Sequence, residues 1–301
     1  MTVKKNTASK ASLLALLAVL FWSTSPTAFK LGLRHQDSFQ LLTLATFTSL
    51  LVLAILLIPG KRYKQLANFS RKDLAFSAIL GLMNPVAYYL VLFKAYDLLP
   101  AQIAQPLNMV WPIVLALISI PMLGQRITLK RLGAMLISFC GIIVISLQGG
   151  QAQGGSGNKL GISLALASSF IWAMYFIYNA RDGKDPVVRL FLNFLFASAA
   201  LALICLLGQV EFNWDYRAWT TAAYVGIFEM GITFVLWLSA MQLSKSNDRI
   251  GNLVFIAPFL NLFIVNRVLH ESIYLTTVPG IILLVTGLLV QNRIQRHEKG
   301  K

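Results

Sequence analysis

WPIVLALISIPMLGQRITLKRLGAMLISFCGIIV, residues 111–144, and APFLNLFIVNRVLHESIYLTTVPGIILLVTGLLV, residues 257–290, decide the fold. Each is a pair of apolar runs around one short polar turn. At a constant offset of 146, Pro112 aligns with Pro258, Gln125 with Glu271 and Gly141 with Gly287. Working outward, GLMNPVAYYLVLFKAYDL from Gly81 aligns with GIFEMGITFVLWLSAMQL from Gly226, and Trp22 corresponds to Trp172. Between the two copies lies QGGQAQGGSGN, residues 148–158, with the Gly/Ser/Gln content of a flexible linker. The chain therefore reads as a repeat over 1–147, a linker over 148–158 and a second repeat over 159–301.

Each repeat holds five apolar stretches of the length that crosses about 30 Å of hydrocarbon. The ten are Ser12–Leu31, Phe39–Ile58, Leu74–Phe93, Ala101–Leu123, Leu132–Leu147, Leu160–Asn179, Val187–Leu207, Trp219–Leu238, Ile250–Leu269 and Leu275–Val290. An odd number per repeat makes the second half enter the membrane in the opposite sense, so the repeats are inverted. Such repeats characterise secondary transporters with a site near the bilayer midplane. The expected fold is all-α: a polytopic bundle of ten transmembrane helices.

Composition agrees. The 301 residues are 57% hydrophobic and 12% charged, about half the charge of a soluble domain. Mean hydropathy is +0.69. A net charge of +15 raises the question of nucleic acid, but the basic residues are dispersed rather than gathered on one soluble face. With the N-terminus cytoplasmic, twenty of the 26 Lys and Arg fall on the cytoplasmic side, the bias of the positive-inside rule. Both termini are expected in the cytoplasm, and the lipid bilayer is the expected partner in place of nucleic acid. The first stretch has no small-residue cleavage site and reads as a span, not a removed signal.

The acid that neither face claims is Glu229, ten residues into its span. An intramembrane carboxylate costs roughly 2.5–3.5 kcal/mol on insertion scales and faces an interior or a cavity. It reads as a proton carrier or a ligand for a substrate amine, against the plainer reading of a protonated acid bonded between helices. Its repeat partner is Asn84. Helical spacing gathers further polar and aromatic groups: Ser168, Trp172, Tyr175 and Asn179 share a face, Tyr88 lies four after Asn84, Thr233 four after Glu229, and Asn108 three before Trp111. Trp22, Asn84, Tyr88, Asn108, Trp111, Trp172, Tyr175, Glu229 and Thr233 are the expected lining of a central cavity, with an interfacial aromatic belt as the alternative. Pro26, Pro85, Pro112 and Pro258 are expected helix breaks or gates.

FWSTSPTAFK (21–30), the Pro112 helix followed by LGQRIT (123–128), and GAMLISFCGIIVI (133–145) resemble the EamA family of the drug/metabolite transporter superfamily. APFLNLF, LHESIY and GIILLVTGLLV repeat the pattern in the second half. Within that family the aromatic-rich spans look like the YddG-type amino acid exporters. The chain departs from the pattern at Gly124-Gln125, where members often carry Gly-Glu, and near Thr46, where many carry Arg.

The resemblance implies export of amino acids or related zwitterions across the cell membrane of a bacterium. Another drug-like or nucleoside-like metabolite is the alternative cargo; a channel or a non-transporting scaffold is the alternative class. His35, His270 and His297 are too scattered for a metal site, Cys140 and Cys205 lack CxxC partners, and no phosphate-binding loop is present. No enzyme activity, metal, cofactor or obligate protein partner is expected.

Overall fold

The computed structural model describes residues 2–123, 128–151, 156–180, 182–243 and 252–299. Gly124-Gln125, and 152–155 of the linker, lie outside them.

Every regular element among the described residues is helical. α1 is Thr2–Leu33, α2 Ser38–Leu56, and α3 Arg71–Leu98, which widens into a π turn at Leu82–Ala87. A short 3₁₀ stretch, Pro59–Asn68, precedes α3. α4 is Ala101–Asn108, α5 Trp111–Leu123, α6 Leu129–Gln151, α7 Ser156–Ala180 and α8 Pro186–Gly208. α9 covers 216–243 with a second π turn at Val225–Gly231. A 3₁₀ turn at Asn252–Ile256 leads into α10, Ala257–Leu269, and α11 is Thr277–Lys299. Among the described residues, seven helices are long and apolar enough to cross a membrane, and Leu132–Ile145 and Ala257–Leu269 are shorter apolar ones.

Two expectations need correction. The Gly-rich stretch 148–158 is not wholly a linker, because α6 runs to Gln151 and α7 starts at Ser156. Glycine inside a helix costs only about 1 kcal/mol, little against the pull of a long flanking helix. The stretch Ala101–Leu123 is not one helix: it breaks between Asn108 and Trp111. Pro112, with no N–H, suits the start of a new helix and not the interior of an old one.

Caps mark the starts. The Asp37 carboxylate accepts from the N–H groups of Phe39 and Gln40 at 2.8 and 2.9 Å, Ser70 and Asp73 form a reciprocal capping box, and Asp185 caps α8.

α1 packs on the second half of α9 and on α10, while the second half of α3 packs on α7, which also meets α4 and α5. α2 lies against α8, and α6 against α11. Small residues let backbones approach where lipid supplies no hydrophobic drive. A Cβ at Gly81 would lie 2.2 Å from the carbonyl oxygen of Asn193, and one at Gly226 2.5 Å from that of Ala45. Along the other seam, one at Gly141 would lie 2.5 Å from the Gly280 carbonyl and 2.6 Å from the Leu284 nitrogen. One at Gly287 would lie 2.6 Å from both the Ala134 carbonyl and the Ser138 nitrogen.

Candidate functional site

The two π turns carry the two polar residues aligned at mid-repeat. Asn84 sits in the turn of α3, with φ −147° and ψ 116° opening the helix there, and Glu229 sits in the turn of α9. Wide turns of this kind displace a side chain from the regular helical face and recur at functional positions. Both side chains are buried.

Glu229 is held from two helices. Ser25 Oγ of α1 donates to Oε2 at 2.6 Å, and Tyr89 Oη of α3 donates to Oε1 at 3.0 Å. Among the described residues no Lys, Arg or His lies within ion-pair distance of this carboxyl group. Beside it a second chain of bonds runs across α3, α4 and α7. Tyr88 Oη donates to Asn108 Oδ1 at 3.2 Å, and Asn108 Nδ2 donates to Ser168 Oγ at 2.8 Å. Tyr175 Oη accepts from Asn193 Nδ2 at 3.2 Å. The Asn84 carboxamide lies near that hydroxyl but outside good hydrogen-bond geometry, and both its polar atoms are unpartnered.

Rings join the cluster. Trp172 meets Tyr88 at 5.0 Å, Tyr175 at 5.7 Å and Phe234 at 5.4 Å between centroids. Phe234 in turn stands edge-on to Trp22 at 6.3 Å, and Trp22 meets Trp237 at 5.1 Å. Aromatic surface thus runs from α1 through α9 to α7 and α3.

Of the residues expected to line a cavity, the structure gathers Trp22, Asn84, Tyr88, Asn108, Trp172, Tyr175 and Glu229 into this region. Trp111 has its ring contact with Phe176 at 5.6 Å. The Thr233 hydroxyl donates to the carbonyl of Phe228 in its own helix and so serves the π turn. Pro85 lies inside the π turn of α3, and Pro112 and Pro258 each occupy the second position of a helix that follows a break. Pro26 does not interrupt α1, which continues to Leu33.

Sequence reasoning passed over Tyr89, Phe234 and Trp237. Tyr88 and Tyr89 are neighbours about 100° apart on a helix, and only tertiary packing says which of them reaches the acid. The structure engages both.

The two ends of the bundle are tied differently. At the end where α3 meets α4, Lys30 Nζ donates to the carbonyls of Tyr96 and Leu99 at 2.8 and 3.1 Å. There Gln102 Nε2 donates to Ser272 O at 2.7 Å, and Gln102 Oε1 accepts from Tyr274 N and Thr277 Oγ1, each at 3.2 Å. Burial pushes the Tyr274 hydroxyl above its ordinary pKa, and neighbouring Glu271 adds to the shift. At the end where α3 begins, Arg189 is 2% exposed. Its Nε and Nη2 donate to the two oxygens of Asp182 at 2.5 and 3.1 Å, and its Nη1 to Asp73 O and Ser77 Oγ at 2.7 and 2.6 Å.

The model of the EamA-like transporter family matches residues 9–147 and again 159–293. The chain belongs to this family. A transporter of Bacillus subtilis, YvbV, described as uncharacterized, is 21% identical over 99% of this chain and 96% of its own length. An aromatic amino acid exporter, YddG, of Ancylobacter novellus is 26% identical over 60% of this chain and 63% of its own. A solved crystal structure superposes with a TM-score of 0.65 over 96% of this chain and 98% of that one, at 21% identity. Membership and the apolar helices make the chain a membrane transporter with a small-molecule substrate, not an enzyme.

Proposed function

We propose that this transporter exports small amino acids or related zwitterionic metabolites across the cell membrane by alternating access. In this reading ten crossings form two inverted five-helix repeats, both termini are cytoplasmic, and the Glu229–Asn84 region is the substrate site. Pro85, Pro112 and Pro258 sit at the helix breaks that let it open.

The observation that carries the reading is an exchange of contacts between the halves. Gly141 abuts Gly280 and Leu284, while Gly287, 146 residues on, abuts Ala134 and Ser138, the positions 146 before those two. Gly81 against Asn193 and Ala197 is mirrored, at nearly the same offset, by Gly226 against Ala45 and Ser49. Halves related in this way have two near-equivalent arrangements, and alternating access needs both. The relative named as an aromatic amino acid exporter supports the cargo class, as does the ring-rich lining.

Counterflow in reconstituted liposomes tests this. A labelled amino acid should accumulate against its unlabelled form only where the protein is present. A panel in which no amino acid exchanges would remove the cargo class. Glu229→Gln exchanges a charge-capable group for a neutral one at the same volume. Losing a charge-assisted hydrogen bond to substrate costs about 1.5–3 kcal/mol. Counterflow should therefore fall at least about tenfold, with detergent-solubilised protein still monodisperse. Unchanged counterflow would assign Glu229 a purely structural role.

A further inference from the structure

We infer that the midplane site reads its cargo by positive charge, so that an amine without a carboxylate is bound at least as well as the matching amino acid. The inference rests on the transport reading above and goes further by naming which end of the zwitterion is recognised.

The charge inventory is one-sided. Glu229 supplies a carboxyl group, and its partners Ser25 and Tyr89 are neutral hydroxyls. Tyr88, Trp172 and Phe234 add aromatic faces, which attract cations. Among the described residues, the basic side chains that reach the interior are spent at opposite ends of the bundle: Lys30 on the carbonyls that close α3, and Arg189 on Asp182.

Nor does the broken fourth stretch offer an anion cradle. A helix start binds anions through free N–H groups, but at α5 Pro112 has none. The N–H groups of Ile113 and Val114 both turn back to Val110 O, at 2.8 and 3.3 Å. What remains for a substrate carboxylate is neutral, such as the unpartnered carboxamide of Asn84. A neutral amide donor is roughly half as strong as a charged one. An ammonium group gains a charge-assisted bond and ring faces, whereas a carboxylate exchanges its water for neutral donors and a nearby acid.

The test is a binding titration on the purified full chain, followed through its intrinsic tryptophan fluorescence, with three probes that share one ring: phenylalanine, phenethylamine and 3-phenylpropionate. Phenethylamine should bind as tightly as phenylalanine or more so, and 3-phenylpropionate at least about tenfold more weakly. Glu229→Gln should weaken phenethylamine by about tenfold and should not weaken 3-phenylpropionate, which loses an unfavourable neighbour. Ser25→Ala, which keeps the acid and removes one partner, should shift the same ligand in the same direction by less.

Equal binding of 3-phenylpropionate and phenethylamine would overturn the inference, as would phenylalanine binding without phenethylamine. Failure of all three to bind would also overturn it. Counterflow with the amino acid panel is scored separately, so the transport reading can stand when the charge reading falls.

Discussion

Arg189→Ala is expected to destabilise the folded protein by about 3–5 kcal/mol, the cost of removing one partner from a buried ion pair. The guanidinium group is fully buried and uses three of its nitrogens on Asp182, Asp73 O and Ser77. It also lies over the rings of Phe69 and Phe76, 5.0 and 5.2 Å from their centroids. Truncation strands Asp182, which is itself largely buried, and the Ser77 hydroxyl. Denaturant titration of the purified protein reads the loss directly. Arg189→Lys should recover little of it, because an ammonium group cannot grip both oxygens of a carboxylate in a planar fork. In a double-mutant cycle the Arg189→Ala/Asp182→Ala pair should cost clearly less than the two single changes together. Additive costs would mean that the pair is not coupled.

Gly287→Val carries the second large effect. Even its Cβ would stand 2.2 Å from Ser138 Oγ and 2.6 Å from two backbone atoms of α6. A hydroxyl can rotate away, but backbone cannot. α6 and α11 must separate, and the Ser138 Oγ to Leu284 O bond at 3.0 Å is lost with the seam. Overpacking of this kind costs about 1–3 kcal/mol, occasionally more. Gly141→Val should do comparable damage, since its Cβ meets the Gly280 carbonyl and the Leu284 nitrogen in the mirrored geometry. Gly133→Ala is the control: nothing lies within 4 Å, and the change should be neutral or stabilise by about 0.5–1 kcal/mol. Unfolding midpoints of the three variants check the prediction. Equal behaviour of Gly133 and Gly287 would refute the close seam.

The helices were legible because a span announces itself by composition. Val187–Leu207 lies inside the helix Pro186–Gly208, Phe39–Ile58 matches Ser38–Leu56 to within two residues, and Ser12–Leu31 lies inside the longer helix Thr2–Leu33. The break between α4 and α5 was half legible: Pro112 marked the neighbourhood, but a proline in an apolar run is equally compatible with a kinked continuous helix. Glu229 stood out as the acid with no polar neighbourhood to explain it, and its alignment with Asn84 indicated a shared place in two copies.

Partners were harder. Ser25 lies 204 residues from Glu229 and Tyr89 lies 140, and no local pattern joins them. Position in the chain places Arg189 near the start of a helix and does not say which way it points. Trp111 and Thr233 share helical stripes with this cluster, yet Trp111 has its ring contact with Phe176 and Thr233 bonds within its own helix, since sharing a stripe is necessary for meeting a common neighbour and not sufficient.

What the sequence determined by itself was the medium and the plan: apolar runs of membrane length, a duplicated pattern and one acid out of place. These follow from local physics, because transfer to lipid is a property of about twenty residues at a time. Only the tertiary structure decided which groups hold that acid and that, among the described residues, no basic side chain pairs with it. It also decided that the glycines of the two halves meet each other's backbones. Those facts depend on contacts between residues far apart in the chain, set by how helices approach once the membrane has made them, and no window along the sequence contains both sides of such a contact.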